Sequence, residues 1–256
     1  MIKRFFLTLI LFCSCSQNYD YSHIKVTHVI DGDTVKLADG KTLRYIGIDT
    51  PETRIKQGGN FMYQPQPFAI EAKKLNEKLV LGKTVKIEFD VEKTDKYKRL
   101  LGYCFLEDGT FVNNELLKQG LAVIYTHPPN IKFSDTFFTA QQKARKEKKG
   151  LWGAYETINA EESYLYVNQI RTVRGTVKGS RRTKKCTLLN LAVTNGKIFK
   201  VVIFENSYKY FSERDINLSR FYTGKTIEVS GKIRRYNGSY EIIANTPQDI
   251  IVLNAN

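Results

Sequence analysis

Residues 29–37 read Val29-Ile30-Asp31-Gly32-Asp33-Thr34-Val35-Lys36-Leu37, with two carboxylates one residue apart in a run of strand formers. Asp-Gly is a hairpin signal, and on that reading the acids are turn residues. In an extended stretch, residues two apart project from one face and the acids become a pair. Further along, LRYIGIDTPET (43–53) brings Arg44, Asp49, Thr50 and Glu52 onto and just beyond another strand, with Pro51 forcing the chain out of regular structure. Several carboxylates near one place repel one another at low dielectric unless a cation or arginines neutralise them. A metal is therefore expected. The candidate ligands are all oxygens and no histidine is near, which favours calcium or magnesium over zinc.

A third stretch, TDKYKRLLGY (94–103), adds Lys96, Tyr97 and Arg99, the cationic and hydroxyl donors that grip phosphate. The acids alone are equally consistent with solvated strand ends, and the lysines with a charged hairpin tip. Composition points the same way as the donors. With 40 Lys+Arg against 26 Asp+Glu the net charge is +14, which favours a polyanionic partner, nucleic acid or an anionic membrane surface.

Taken in order and spacing, DGDTVKL (31–37), LRYIGIDTPET, TDKYKRLLGY and VNNELLKQGLA (112–122) resemble the staphylococcal nuclease (thermonuclease) family over residues 23–155. The resemblance implies a five-stranded barrel of oligonucleotide-binding type capped by three helices, and Ca²⁺-dependent cleavage of DNA or RNA with little discrimination between them and products ending in 3′-phosphate. It places the calcium ligands on Asp33, Asp49 and the carbonyl of Thr50, with Asp31 just outside the ion. The candidate general base falls on Glu52 and the phosphate-binding arginines on Arg44 and Arg99, while Lys96 and Tyr97 touch a substrate phosphate. Tyr125 matches one base-stacking tyrosine. His127 stands in for the second, and Lys98 stands where the family commonly has glycine.

The pattern outside that region divides the chain. MIKRFFLTLILFCSCSQ (1–17) has a positive start and an apolar run too short to span a bilayer, as an export signal does. Its Cys13-Ser14-Cys15 end resembles a lipobox, so residues 1–14 are expected to be a lipoprotein signal with Cys15 carrying lipid and anchoring the protein to a membrane. Residues 15–22 and 156–168 read as linkers. The charged run ending at Gly150 reads as a solvated helix face with Gly150 as its C-terminal cap. Cys104 and Cys186 lie in strand-like runs and are expected as buried free thiols.

From 169 to 256, short alternating strands broken by Gly and Asn indicate a second all-β barrel, so the whole chain is mainly β with helices. VRGTVKG to YTGKTIEVSGKIRRYNGSYEII resembles oligonucleotide-binding domains. In it Arg181, Arg182, Lys184, Lys185, Arg234, Arg235 and Tyr236 are the candidate nucleic-acid contacts, cations and an aromatic of the kind that hold single strands. Phe199 and Phe204 are expected in the core. No acidic cluster occurs here, so this domain is expected to bind and not cut. A non-catalytic envelope lipoprotein that binds nucleic acid or a surface is the alternative left open.

Overall fold

The computed structural model describes residues 20–194 and 196–253. The signal segment and Cys15 lie outside the described residues. Among the described residues, no helix is long and apolar enough to cross a membrane.

The first unit contains β1 (Ile24–Asp31), β2 (Thr34–Leu37), β3 (Thr42–Tyr45), β4 (Gly47–Asp49), β5 (Arg54–Gln57) and β6 (Asn60–Tyr63). Helix α1 (Ala69–Val80), β7 (Thr84–Glu88), β8 (Leu100–Leu106), α2 (Val112–Lys118), β9 (Val123–Tyr125) and α3 (Ser134–Lys146) complete it. Five strands close a barrel in the order β1-β2-β3-β8-β7. Alternation in β1 buries Ile24, Val26 and Val29, which meet Val35, Leu43, Val85 and Leu100 inside. Burial of this contiguous apolar set is the main stabilising term. Helices α1, α2 and α3 pack around the barrel, α3 through Phe137 and Ala140. β4 pairs with β9, and β5 with β6 in a hairpin that leaves Phe61, Met62 and Tyr63 exposed.

The opening stretch resolves as a turn. Asp31 pairs with Thr34 across β1 and β2, so Gly32-Asp33 is the tip of a hairpin and the same-face argument for an extended pair does not apply. The tip is nevertheless buried, because it is pressed against α1 and Thr50. A Cβ on Gly32 would come within 2.7 Å of Thr50 Oγ1 and 2.8 Å of Ala72 Cβ. Glycine is there for close approach.

Two boundaries differ from the sequence reading. Tyr21 is already part of the first unit, its ring 5.3 Å from Phe89 and its carbonyl accepting from Ile87 N–H. Residues 156–168 are not a free tether. β10 (Ile158–Asn159) pairs with β11 (Ile170–Thr176), and the 3₁₀ turn 160–166 inserts Ala160 into the second core. Gly150 does not cap α3. That helix ends at Lys146 with Glu147 as its C-cap, and Gly150 precedes the one-turn α4 (Leu151–Ala154), packed so tightly on Gly120 that a Cβ would lie 2.4 Å from its carbonyl oxygen.

The second unit continues with β12 (Gly179–Arg182), β13 (Cys186–Thr194), β14 (Lys197–Phe204), the short helix α5 (Tyr208–Ser212), β15 (Thr226–Lys232), β16 (Arg234–Tyr236), β17 (Ser239–Ile243) and β18 (Ile250–Leu253). Among the described residues these strands form two sheets, β10-β11-β15-β18 and β12-β13-β14-β17-β16, where one closed ring was expected. The chain changes sheet at two corners. Val177 N–H bonds Lys225 O in one sheet while Lys178 N–H bonds Asn190 O in the other, and Ile233 separates β15 from β16. Phe199, Val201, Phe211, Tyr222 and Ile227 fill the space between. Phe199 is buried as expected; Phe204, at the last position of β14, is 39% exposed. Cys104 is buried and Cys186 half-buried, and both are free thiols.

The two units share a seam. Val123, Leu151 and Ile170 form an apolar contact flanked by Phe68, Trp152 and Tyr155. Beside it the buried Glu228 of β15 pairs with Arg174 at 2.7 Å and with Arg145 of α3. Asp135 of α3 accepts from Arg214 at 2.9 Å. Removing one partner of such a buried pair leaves an uncompensated charge, so Glu228 ties the units through Arg145.

Candidate active site

Asp33 is buried at the hairpin tip, its Oδ2 accepting from Thr50 N–H at 2.9 Å and Thr50 Oγ1 at 3.0 Å, its Oδ1 from Thr34 Oγ1 at 2.9 Å. Asp49 ends β4. Arg44, on β3, lies between the two acids, in ion contact with Asp33 and donating from Nη2 to Asp49 Oδ1 at 2.8 Å. Asp31 is turned to the other side of the hairpin tip, where it accepts from Gly32 N–H and, at 3.3 Å, from Thr53 N–H. The residues predicted from LRYIGIDTPET and from the opening stretch are thus brought together, and Thr50 turns its N–H and hydroxyl toward Asp33.

Glu52 is half-buried beyond Pro51. Desolvation first, then the negative charges of Asp49 and Asp31, push its carboxyl up to about 7, against the pull of Lys232 and Arg44. A carboxylate tuned toward neutral pH is what proton transfer at that pH needs. Lys232 belongs to the second unit, so the field at Glu52 is set by both.

Beside the acids lies a cleft of about 630 Å³, which Arg44 lines together with Asp95, Lys96, Tyr97, Arg99, Tyr125, His127 and Asn130 among others. Asp95 builds its rim. Its Oδ1 accepts Tyr97 N–H at 2.8 Å and Arg99 N–H at 3.0 Å, and its Oδ2 accepts Arg99 Nε at 2.7 Å. Burial works to raise the Asp95 carboxyl, but these Arg99 bonds outweigh it and hold the group below its usual range. Lys96 stacks 5.1 Å from the exposed Tyr97 ring. Lys98 adopts φ 64°, a left-handed conformation that costs a residue with Cβ about 1–2 kcal/mol and explains why glycine suits this place. Asn130, buried, grips Glu92 with both amide atoms at 2.8 Å and fixes the far rim beside His127.

Three buried amides absent from the sequence-based candidates hold the site strands. Asn76 of α1 accepts from Tyr45 Oη at 2.9 Å and donates to Asp31 O at 3.1 Å. Asn113 of α2 accepts from Cys104 N–H and donates to Ile46 O, and Gln141 of α3 accepts from Ile124 N–H. Each satisfies a strand group left over where the barrel departs from regular pairing. Asn113 lies in VNNELLKQGLA, and an asparagine at the start of an apolar helix is the one signal that pointed here.

The candidate contacts of the second unit are not gathered in one place. Arg181 and Arg182 lie exposed on β12, with Arg182 4.8 Å from the Tyr208 ring, and Lys184 and Lys185 follow in the turn. Arg235 and Tyr236 are exposed on β16. Arg234 reaches across the seam toward Tyr125, with Nη2 3.4 Å from Tyr125 Oη.

The donor set at Asp33 and Asp49 is all oxygen. Among the described residues, no group of three or more acidic, histidine or cysteine side chains converges to hold an ion unaided. Two carboxylates on one guanidinium, with Asp31 close enough to Glu52 to help raise its carboxyl, still fit a hard divalent cation that completes its shell with backbone carbonyl and water.

Two carboxylates held on one guanidinium, beside a cleft that Arg44 and Arg99 both line, make a site suited to an anionic group such as phosphate. Residues 42–154 match the model of the family described as Staphylococcal nuclease homologue. The chain is 40% identical over 135 residues to Endonuclease YncB of Bacillus subtilis (strain 168), covering 51% of this chain and 61% of that protein. It is 40% identical over 134 residues to SPbeta prophage-derived endonuclease YokF of the same organism, covering 50% of this chain and 43% of that protein. The Thermonuclease of Staphylococcus hyicus is 39% identical over 131 residues, with 50% of this chain and 74% of that protein covered. The chain thus spans less than two thirds of the two Bacillus proteins. It belongs to the staphylococcal nuclease homologue family. The family match begins at residue 42, and the structure supplies β1 and β2, with Asp31 and Asp33, to the same barrel.

Proposed function

We propose that this protein is an exported, Ca²⁺-dependent endonuclease that hydrolyses phosphodiester bonds of DNA or RNA, held at the cell envelope by lipid on Cys15. Its second unit is of oligonucleotide-binding type and holds the nucleic-acid substrate. The observation that carries the reading is Arg44, which bridges Asp33 and Asp49 and lines the same cleft as Arg99.

Asp33 and Asp49 hold the cation, which when bound supplies Lewis-acid polarisation of a phosphate oxygen and acidifies water. Arg44 and Arg99 donate to the equatorial phosphate oxygens, where a preorganised donor contributes about 3 kcal/mol as charge develops. Glu52 orients the attacking water and takes its proton, a role that contributes roughly 10²- to 10⁴-fold. Lys96 and Tyr97 hold a neighbouring phosphate at the exposed rim, and Tyr125 with His127 faces the base. Cleavage of denatured DNA is the test, with calcium or with excess chelator. Wild type should cut only with calcium, Glu52→Gln should turn over at least 10²-fold more slowly, and Arg99→Ala should lose a similar factor. No calcium-dependent cleavage by wild type would leave the binding-only lipoprotein as the better reading, and equal measurable rates in all three proteins would move the chemistry to other residues.

A further inference from the structure

The nuclease cleft does not end at the first unit. His127 lines both the main cleft and an adjoining groove of about 340 Å³, whose other walls, Lys185, Phe204, Glu205, Asn206 and Asn245, all come from the second unit. Phe204 is exposed at the last position of β14, after Val201, Val202 and Ile203 take interior positions in succession. Lys185 follows the β12 turn and is exposed, and Glu205 N–H bonds its carbonyl at 2.9 Å, which fixes the lysine backbone beside the aromatic ring. On the other side of the cleft, Arg234 reaches Tyr125, its guanidinium 5.9 Å from the ring centroid.

An aromatic face beside a lysine is the pairing that holds single-stranded nucleic acid, the ring stacking a base and the ammonium meeting a phosphate. Asn206 and Asn245 add polar groups. Glu205 is the one acid of the groove, and it disfavours a site for phosphate alone. Phosphate and base together suit the lining better.

We infer that the groove between the units is a substrate subsite, in which Phe204 stacks a base and Lys185 contacts a phosphate of the same single strand that passes His127 and Tyr125 in the nuclease cleft. The substrate this site takes is an unpaired strand several nucleotides long. The inference rests on the nuclease reading for the direction of the strand, but binding tests it independently of cleavage. The second unit then acts by extending the cleft, and its remote cations Arg181 and Lys184 matter less than the two that face the seam.

The test compares Phe204→Ala, Lys185→Ala and Lys185→Glu with Lys78→Glu, which makes the same charge reversal on the exposed face of α1. Anisotropy with a labelled single-stranded 12-mer and with a dinucleotide is measured in the Glu52→Gln background, together with KM in the parent, and melting curves check that each variant is folded. Phe204→Ala and Lys185→Glu should weaken 12-mer binding about tenfold, since stacking one base is worth ~1–3 kcal/mol, and should raise KM for the 12-mer far more than for the dinucleotide. Lys185→Ala should reduce the slope of log affinity against log salt by about 0.7. If 12-mer affinity falls no further in these folded variants than in Lys78→Glu, the groove is not a subsite. A parent that cuts neither substrate would overturn the nuclease reading, while length-dependent binding lost in Phe204→Ala would still support the groove.

Discussion

Gln66 joins the two units at the candidate general base: its Nε2 donates to the carbonyl of Asn168 at 2.7 Å, while its Oε1 accepts Glu52 N–H at 2.9 Å. Gln66 N–H also bonds Glu52 O, so the Glu52 backbone is held from both sides by one residue. Asn168 is itself anchored to the second unit by its N–H on Ile233 O.

Gln66→Leu should therefore lower kcat about tenfold with KM for a dinucleotide little changed, the cost of one or two net hydrogen bonds that orient a reacting group. Gln66→Glu keeps the acceptor for Glu52 N–H and loses the donor to Asn168, and should recover part of the rate. Steady-state kinetics on the three proteins decide it. A KM rise without a kcat loss would assign Gln66 to substrate binding.

Arg44 supplies a second prediction, because it neutralises two carboxylates while itself only 14% exposed. Without calcium, Arg44→Ala should lose about 3–5 kcal/mol of stability, since Asp33 and Asp49 are left facing each other. A cation bound to the folded state only stabilises it by mass action, so calcium should raise the melting temperature of the variant more than that of the parent. Equal calcium shifts in parent and variant would mean that Asp33 and Asp49 do not share one ion.

The barrel was legible in the sequence because alternation along Ile24–Asp31 and the order of four motifs are local signals, and packing followed them. The acids were legible as a cluster and not as a geometry. The hairpin tip holding Asp31 and Asp33 depends on Gly32 touching Ala72 and Thr50, contacts between distant segments that no window of sequence contains. Gln66 and Lys232 escaped notice for the same reason: one lies in the connection between β6 and α1, the other on a strand of a different unit. Phe204 was misplaced because its strand abandons alternation, burying three residues in succession before the end. The second barrel was expected from short alternating strands and a resemblance to oligonucleotide-binding domains, and neither reveals the corners at Val177 and Ile233.

Membrane attachment is open to a direct experiment. If Cys15 carries lipid, Cys15→Ser should shift the protein from the detergent phase to the aqueous phase on partitioning, because acyl chains and not a spanning helix hold it. Parent and variant behaving alike in the aqueous phase would indicate plain secretion.

Asp249 gives the second unit an unusual pH dependence. Burial pushes its carboxyl up to about 6, although the N–H groups of Asn245 and Thr246, at 2.7 and 2.9 Å, favour the ionised form. The folded state therefore keeps a proton between about pH 4 and pH 6 that the unfolded chain has released, so stability from this group is fully present below pH 4 and lost as pH rises through 6. The loss is on the order of 3 kcal/mol at pH 7. Asp249→Asn keeps an acceptor for both N–H groups and carries no charge. Denaturant midpoints should show the variant more stable than the parent at pH 8, with the gap closing as the pH falls to 4. A gap that is constant across this range, or that widens in acid, would show that Asp249 is already ionised in the folded protein at low pH.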